Sequence, residues 1–387
     1  FSGVGAFDYA MKRVCNHNKF IHKRVYACDW DKYARITYEH NHGTPKYFPQ
    51  NVYDRTIPEE SLDIYMTSPP CQSFSIAGSR KGKDSENGVL FFNSHEFIKK
   101  NKPRFFIFEN VKGLLSDDSG RTFQEWLNYL GGKSLNGLPL LFKDDNAVDY
   151  HVYYKVLNSK KHGVPQNRER IFIVGIRDDA DNDFRFPKEE HLTLKLKDVL
   201  EAEVDEKYFL SDNAINRLCH NESGFGSVPK SEEDIASTVC ASDYKIARGM
   251  NVLKVKSATK KGFETATEND SINFSVPNSE TRRGRVGKEV AQTLDTQCNQ
   301  GIWSADYRYD EGLRIRKGDA SLCVTTGKTI YTNEPQIRRL TPGECFRLQD
   351  FPDSFDFSVV SDSQAYKQAG NSITVRVLEL ILNKLKL

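Results

Sequence analysis

Short apolar runs that end in polar residues recur along the first half of the chain, and they predict buried strands of an α/β sheet. Three of these runs are Asp63–Met66, Arg104–Phe108 and Ile171–Ile176. The second is mostly aromatic and too short for a surface helix, so it suits a central parallel strand. Apolar residues at helical spacing near the other end predict a final helix packed on this sheet: Val375, Leu378, Ile381, Leu382 and Leu385.

The interval from Asp178 to Gln336 has a different pattern. Asn, Ser, Thr, Gly and Lys are frequent, and short strand-like pieces such as Val252–Lys256 are separated by polar turns. We therefore expect an α/β domain formed by residues 1–185 and 356–387, and a smaller β-rich domain with a hinge over 186–355. Within that hinge, Thr341–Glu344 predicts a helix start, because it combines a capping Thr, a Pro in the first turn and a Glu three residues after the cap.

Length, composition and charge are those of a soluble protein with more than one domain. The chain has 387 residues, of which 38% are hydrophobic and 28% charged, and no apolar run is long enough to cross a bilayer. No charged-then-apolar leader opens the sequence, so we expect a cytoplasmic protein. The formal net charge is +2, so any surface for nucleic acid must be local. The eight cysteines form no CxxC pair, which argues against a zinc site or a disulfide framework.

Cys71 follows the first of the predicted strands, within the segment Thr67–Phe74. Two prolines before it would end the strand and hold the sulfur at the rim of the sheet, where ligands gather. A thiol in that position can act as a nucleophile. A packed, inert cysteine would have the same local sequence, since free Cys is often buried, and the motif alone leaves both interpretations open.

Gly3 and Gly5 indicate a tight turn whose backbone can approach a ligand closely. The third glycine of a GxGxxG fingerprint is absent, which disfavours a pyrophosphate site and a nicotinamide dehydrogenase. The run Arg24–Cys28 predicts a short strand that ends in Asp29 and Trp30, which could bind a ribose and an adenine ring. A loop carboxylate and a core Trp would give the same pattern. Together with the glycines, however, the pair favours a cofactor that contains adenosine.

Polar residues at two other strand ends are candidates for catalysis. Glu109 follows Arg104–Phe108, and desolvation there would favour its neutral form near pH 7, as a general acid requires. A helix-end carboxylate or a surface ion pair is the alternative. Arg168 and Arg170 alternate at the entrance of the strand Ile171–Ile176, so we expect them to point the same way and to grip an anion or a base edge. Structural Arg–Glu pairing is the competing interpretation.

Six short segments occur along the chain in the same order as the motifs of a known protein family. They are Phe1–Gly5, Pro70–Gln72, Glu109–Val111, Gln166–Arg170, Arg339–Cys345 and Gly370–Ile373. This series resembles the motifs of the DNA (cytosine-5)-methyltransferases of the bacterial restriction-modification type, and it spans both ends of the chain. The resemblance implies a Rossmann-like sheet that binds S-adenosylmethionine and releases S-adenosylhomocysteine, without a metal. It also implies that the interval without motifs is a target-recognition domain.

The same resemblance implies a mechanism. A methyl group would pass from S-adenosylmethionine to carbon 5 of a cytosine in a specific double-stranded DNA sequence, after the base has left the duplex. The thiolate of Cys71 would add to carbon 6 and form a covalent intermediate with the cytosine. Glu109 would donate to ring nitrogen 3, while Arg168 and Arg170 would hold the ring oxygen and orient Glu109.

The resemblance assigns further residues to binding. Contacts with the cofactor are implied for Phe1, Gly3, Gly5, Asp29, Trp30, Asn51, Pro70, Leu90, Asn371 and Ser372. Contacts with DNA are expected from a loop after the nucleophile and from a basic segment of the β-rich interval: Ser75, Arg80, Lys81, Arg282, Arg283 and Arg285. Ordinary solvated loops have similar compositions, so the basic segment by itself is open to either interpretation.

The expected partner is double-stranded DNA, with a possible cognate restriction endonuclease that acts separately. We expect a monomer in the cytoplasm, associated with the nucleoid and not with a membrane. A transfer-RNA cytosine-5-methyltransferase is one alternative, although its recognition region is usually smaller than this interval. A catalytically silent DNA-binding relative is another, and the set Cys71, Glu109, Arg168 and Arg170 argues against it.

Overall fold

The computed structural model describes residues 1–69, 86–180, 183–210, 225–226, 252–267, 269–276, 279–304, 306–308, 312–314 and 336–387. The chain divides into two compact units. The first unit comprises Phe1–Val164, Arg168–Thr193 and Gln349–Leu387, and the second comprises Pro165–Asn167 and Leu194–Leu348. The first unit is therefore built from both ends of the chain. The long interruption of the first unit begins after residue 193 and ends at residue 348, whereas the sequence suggested boundaries at residues 185 and 355.

A six-stranded sheet forms the centre of the first unit. Its strands are β1 (Ile64–Thr67), β2 (Phe105–Val111), β3 (Ser134–Leu135), β4 (Leu138–Pro139), β5 (Tyr150–Asn158) and β7 (Glu169–Arg177). Their order across the sheet is β1-β2-β7-β5-β3-β4. Strand β2 is parallel to β1 but antiparallel to β7. The predicted central strand is thus an interior strand of a mixed sheet, and it continues past Phe108 to include Glu109.

The aromatic run of β2 is buried because both faces of this part of the sheet are covered. Phe105, Phe106 and Phe108 are each at most 1% exposed. Each such side chain stabilises the fold by roughly 1.5–3 kcal/mol relative to an exposed one. Gly175 lies in β7 where a Cβ atom would be 2.1 Å from the ring of Phe106, so the packing of this ring requires a glycine. On one side, a stacked pair of rings from two helices adds to the core, with 4.1 Å between the centroids of Phe91 and Trp126.

In the described part of the first unit, six α-helices and two 3₁₀ segments accompany the sheet. The helices are α1 (Ala6–Asn18), α2 (Lys32–His42), α3 (Glu86–Asn101), α4 (Arg121–Leu130), α6 (Asp362–Asn371) and α7 (Val375–Leu382), and the 3₁₀ segments are Lys112–Gly120 and Ser159–Lys161. Asp31 caps α2 by accepting from the amides of Tyr33 and Ala34 at 2.9 and 3.2 Å. The predicted final helix is confirmed as α7, whose apolar positions are buried. Among the described residues, no helix is long and apolar enough to span a membrane.

The prediction of one strand in the first unit, over residues 24–28, is wrong. Residues 24–28 form no strand, and only Tyr26 pairs, through an isolated parallel bridge to Tyr47. The segment is nevertheless ordered by backbone bonds, because Ala27 N donates to Tyr47 O at 3.0 Å. Asp29 and Trp30 therefore follow a single bridge, and the local apolar pattern overestimated the length of the pairing.

The second unit is rich in short strands, as expected for the interval. They are β6 (Gln166–Asn167), β8 (Phe225–Gly226), β9 (Val252–Lys256), β10 (Phe263–Ala266), β11 (Ser271–Asn273), β12 (Val286–Gly287), β13 (Ala291–Gln292), β14 (Gln300–Ser304), β15 (Asp306–Arg308), β16 (Gly312–Arg314) and β17 (Gln336–Arg339). The larger sheets have the orders β12-β11-β14-β17 and β10-β9-β8, and two further pairs join β13 to β6 and β15 to β16. The helical segments are α5 (Pro342–Arg347) and the 3₁₀ turns Leu196–Val199 and Glu206–Tyr208.

A buried ion pair joins β17 to α5 in the second unit. The predicted helix start is confirmed, because Thr341 and Glu344 form a reciprocal capping box. Glu344 is fully buried, and its two carboxylate oxygens accept from Arg338 Nη1 and Nη2 at 2.8 and 2.7 Å. The amide of Glu201 also donates to this carboxylate, at 2.8 Å. A charge removed so completely from water is tolerable because all these donors converge on it.

Candidate functional site

A cavity of about 1140 Å³ lies in the first unit and collects most of the residues selected from the sequence. Those that line it are Phe1, Gly3, Asp29, Trp30, Asn51, Leu90, Glu109, Arg168, Arg170, Asn371 and Ser372. Cys71, Pro70, Ser75, Arg80 and Lys81 lie outside the described residues. Ser68 and Pro69, which precede Cys71 in the sequence, are described and line the same cavity.

Glu109 is held on both of its carboxylate oxygens. The residue is 5% exposed; Arg170 Nε lies 3.0 Å from Oε1, and Ser68 Oγ donates to Oε2 at 2.5 Å. The antiparallel register explains the first contact, since Glu109 is opposite Phe172 and Arg170 is opposite Val111. These four side chains share one face, and Glu109 and Arg170 are diagonal neighbours across the strands. The carboxylate is therefore oriented by the backbone pairing of β2 and β7.

Arg168 has a different environment from Arg170. It precedes β7, is 3% exposed, and donates from Nη2 to the carbonyls of Gly370 and Ser372 at 3.1 and 2.7 Å. The guanidinium thereby fixes the C-terminal end of α6, where Asn371 lies. The expectation that the two arginines point the same way depends on strand alternation, which does not apply to Arg168 because it precedes β7.

The glycine turn leads into α1. Gly3 and Gly5 have φ values of +54° and +85°, which are in the left-handed region that favours glycine. Gly3 N donates to Asp29 Oδ2 at 2.8 Å, so the carboxylate predicted to bind a ribose also anchors this turn. A Cβ atom on Gly3 would meet nothing within 4 Å, whereas one on Gly5 would lie 2.2 Å from His42 Nε2. The structure therefore places Gly5 in the interior as a packing position, and Gly3 at the open face.

Two further cofactor candidates, Trp30 and Asn51, line the cavity with an exposed ring and a fixed amide. Trp30 is 70% exposed, so its indole face is available for stacking. Asn51 Oδ1 accepts from Tyr53 N at 2.9 Å, which fixes the side chain. An amide oxygen has two lone pairs, so this contact leaves one acceptor position on Asn51.

Two of the residues that shape this site carry no recognisable functional signal in the sequence. Ser68 lies beside the Cys71 motif, but its bond to Glu109 depends on the sheet that brings two distant segments together. Lys367 of α6 donates to Asp31 Oδ2 and thereby connects the segment before Asn371 to the loop that carries Asp29. Contacts of this range could be found only from the fold. Within the described ranges, no group of three or more His, Cys, Asp and Glu side chains could hold a metal ion.

The basic loop of the second unit contains one exposed, one half-buried and one buried arginine. Arg283 is exposed and donates from Nε to Ala258 O at 3.0 Å, and Arg282 is half-buried. Arg285 was expected to contact DNA, and this expectation is wrong. It is 1% exposed and donates to the carbonyls of Asn273 and Ser275 at 3.1 and 3.0 Å. Its guanidinium stabilises a neighbouring loop because the backbone there curls around it.

Comparison with known proteins gives a consistent result. A family model described as C-5 cytosine-specific DNA methylase matches residues 1–387. The chain is 30% identical to the type II methyltransferase M.HhaI of Haemophilus parahaemolyticus over 383 residues, which cover 98% of this chain and 91% of that protein. It is 31% identical to the type II methyltransferase M.SsoII of Shigella sonnei over 392 residues, with coverages of 100% and 78%. The orphan methyltransferase M.SPRI of Bacillus phage SPR is 30% identical over 449 aligned residues, with coverages of 100% and 96%.

Solved structures share the fold at lower identity. A putative DNA modification methyltransferase encoded within an Escherichia coli prophage superposes with a TM-score of 0.56 and 19% identity, covering 99% of this chain and 96% of that one. The Dnmt2 methyltransferase of Schizosaccharomyces pombe gives a TM-score of 0.52 and 16% identity, with coverages of 99% and 95%.

Proposed function

Because the chain belongs to the C-5 cytosine-specific DNA methylase family, we propose that it methylates carbon 5 of a cytosine within a specific double-stranded DNA sequence, using S-adenosylmethionine. The observation that carries this proposal is the oriented carboxylate of Glu109, which shares one cavity with the glycine turn of Gly3. Glu109 and the glycine turn thus line the same cavity, as groups that act on a base and on its methyl donor would. Several relatives are type II methyltransferases, which supports a role in restriction-modification with a separate endonuclease.

The residues of the cavity fit the proposed donor. Its volume of about 1140 Å³ is adequate for a nucleoside joined to an amino acid. The open face at Gly3 allows close approach of a ligand to the backbone, and the exposed ring of Trp30 can stack on adenine. We assign the methionine end to Phe1 and Gly3, and the ribose to Asp29. S-adenosylmethionine would supply an electrophilic methyl group on a sulfonium centre.

The same assignment covers residues at the edges of the cavity. Leu90, Asn371 and Ser372 line it, and we propose that they enclose the donor. Asn51 would accept from the adenine amino group through its remaining lone pair. Pro70 would complete the wall next to the nucleophile.

The chemistry needs a nucleophile and an acid on the same pyrimidine ring. Carbon 5 of cytosine is a weak nucleophile until a thiolate adds to carbon 6, and we assign this addition to Cys71. Glu109, once protonated, would relieve the charge that develops on the ring by donating to ring nitrogen 3. Arg170 keeps the carboxylate aimed by holding Oε1. Once carbon 5 has taken the methyl group from the sulfonium centre, loss of the carbon 5 proton and expulsion of the Cys71 sulfur would release 5-methylcytosine.

The target base must leave the duplex before a thiol can reach carbon 6, at a cost of roughly a few kcal/mol. Contacts with the DNA backbone would offset this cost. We assign such contacts to Ser75, Arg80 and Lys81 after the nucleophile, and to Arg282 and Arg283 of the second unit. The second unit would then act as the target-recognition domain.

Transfer of a labelled methyl group tests the proposal directly. The purified protein would be incubated with labelled S-adenosylmethionine and either mixed-sequence duplex DNA or transfer RNA. We expect label in 5-methylcytosine of DNA, its loss in Cys71→Ala, and its retention in Cys15→Ala, which alters another free cysteine. A duplex with 5-fluorocytosine at the target should become covalently attached to the unaltered protein. Label in RNA alone, or none in either polymer, would contradict the proposal.

A further inference from the structure

His42, the last residue of α2, lies directly beneath the glycine turn. It is 8% exposed, and its Nε2 atom is 3.1 Å from the carbonyl oxygen of Val4. A carbonyl can only accept, so Nε2 carries the proton and donates it. Val4 stands between Gly3 and Gly5, and the turn is closed by Gly5 N donating to Ser2 O at 3.1 Å. The imidazole thus holds the carbonyl of Val4, in the middle of the turn.

The imidazole ring also occupies the volume that a side chain on Gly5 would need. A Cβ atom there would be 2.2 Å from Nε2 and 2.6 Å from Cδ2 of His42. Tyr9 and Tyr38 contact the ring, with centroid separations of 4.7 and 4.8 Å. The ring therefore cannot move aside without disturbing two aromatic neighbours, so the turn rests on a rigid support.

The buried environment keeps this support uncharged. Burial lowers the pKa of His42 to about 4, and the positive charges of Arg24, His22 and Lys12 act in the same direction, while the bond to Val4 opposes them. A neutral imidazole has one N–H donor, and the turn offers it one acceptor.

We infer that His42 is a positioning residue for the methyl donor: it holds the glycine turn in the shape that receives the methionine end of S-adenosylmethionine. This inference rests on the proposed function, because it takes the turn at Gly3 as part of the donor site. His42 acts through Val4 and Gly5 and touches no substrate. Loss of the imidazole N–H would leave the Val4 carbonyl without its hydrogen bond and let the turn relax. The affinity for S-adenosylmethionine should therefore fall more than the rate of methyl transfer.

Two substitutions separate the hydrogen bond from the ring. His42→Phe keeps an aromatic ring but removes the donor, whereas His42→Gln can place an amide N–H near the position of Nε2. Binding of S-adenosylhomocysteine to the full chain without DNA would be measured by calorimetry, alongside KM for S-adenosylmethionine and kcat. We expect His42→Phe to weaken binding roughly 3- to 10-fold, in line with the loss of one hydrogen bond. His42→Gln should restore most of the affinity, and kcat should change less than 2-fold in both.

His40→Phe is the matched control, because His40 lies on the same helix but is 43% exposed in its side chain and pairs with Asp356. It should bind S-adenosylhomocysteine like the unaltered protein. If His42→Phe fails to fold, a second test compares Gly5→Ala with the double variant that also carries His42→Ala. In the double variant, the small side chain at position 42 removes the clash with the Cβ atom at position 5. The double variant should then recover part of the affinity that Gly5→Ala loses.

Three outcomes would overturn the inference. One is unchanged binding in His42→Phe with only a lower thermal stability, and another is equal loss in His42→Phe and His42→Gln. The third is a double variant no better than Gly5→Ala. If the unaltered protein itself fails to bind S-adenosylhomocysteine, the proposed donor site fails, and this result is distinguishable because no variant is involved.

Discussion

Arg170→Met should be far more damaging than a comparable change at the other end of the same strand. The Arg170 side chain is 16% exposed and that of Glu109 is 6% exposed, so the pair is largely shielded from water. Removal of one partner from a buried pair costs about 3–5 kcal/mol, because the other charge is left buried and uncompensated. The bond from Ser68 remains, and water reaches Arg170 to some extent. We therefore expect a loss of about 3 kcal/mol in the free energy of unfolding.

Arg177→Met is the matched control, because Arg177 ends β7 and pairs through Nε with Asp179, whose side chain is 66% exposed. Exposed pairs contribute about 0.2–1 kcal/mol, so a loss near 1 kcal/mol is expected. Urea unfolding followed by circular dichroism measures both variants. Adding Glu109→Gln to Arg170→Met should recover at least about 1 kcal/mol, since the uncompensated charge is then absent. Equal losses in the two single variants would refute the reasoning that Glu109 needs Arg170 as a buried partner.

Three further predictions concern packing and charge. Glu344→Gln should lower the free energy of unfolding of the second unit by about 3–5 kcal/mol in urea, because Arg338 loses its buried charged partner. Its control is Glu289→Gln, which removes the exposed pair with Lys195 and should cost less than about 1 kcal/mol. Gly175→Ala should cost about 1–3 kcal/mol, since the new methyl group overlaps a ring of β2, and a neutral result would contradict that packing. His42 has a pKa of about 4 against an ordinary value of 6.5, so its neutral form favours folding above pH 6.5 and this advantage is lost as pH falls towards 4. As the pH falls from 6.5 to 4, the free energy of unfolding of the unaltered protein should therefore decrease by roughly 3 kcal/mol more than that of His42→Phe. Parallel pH profiles of the two proteins would contradict this prediction.

Much of the fold could be predicted because its signals are local. The apolar run before Glu109 indicates a buried strand wherever it occurs, and the spacing of Thr341 and Glu344 specifies a capped helix start. The family motifs likewise led from short segments to a methyltransferase fold, and the comparisons confirm that assignment. In each case the deciding physics is confined to a few neighbouring residues.

The errors arose where distant segments decide the outcome. Arg285 sits among other cations in the sequence, and nothing local shows that the carbonyls of a preceding loop surround it. The separate environments of Arg168 and Arg170 depend in the same way on where β7 begins and on a turn about 200 residues later. Gly5 could be recognised as a glycine requirement, but its reason, the imidazole of His42, is set by the packing of α2.

The bonds from Arg168 to the carbonyls of Gly370 and Ser372 have a consequence for synthesis of the protein. The two partners are separated by 202 and 204 positions along the chain. A ribosome that has translated Arg168 must still translate Leu194–Leu348 of the second unit before these bonds can form. We therefore expect a nascent chain to lack the ability to modify DNA until Gly370 and Ser372 have left the ribosome.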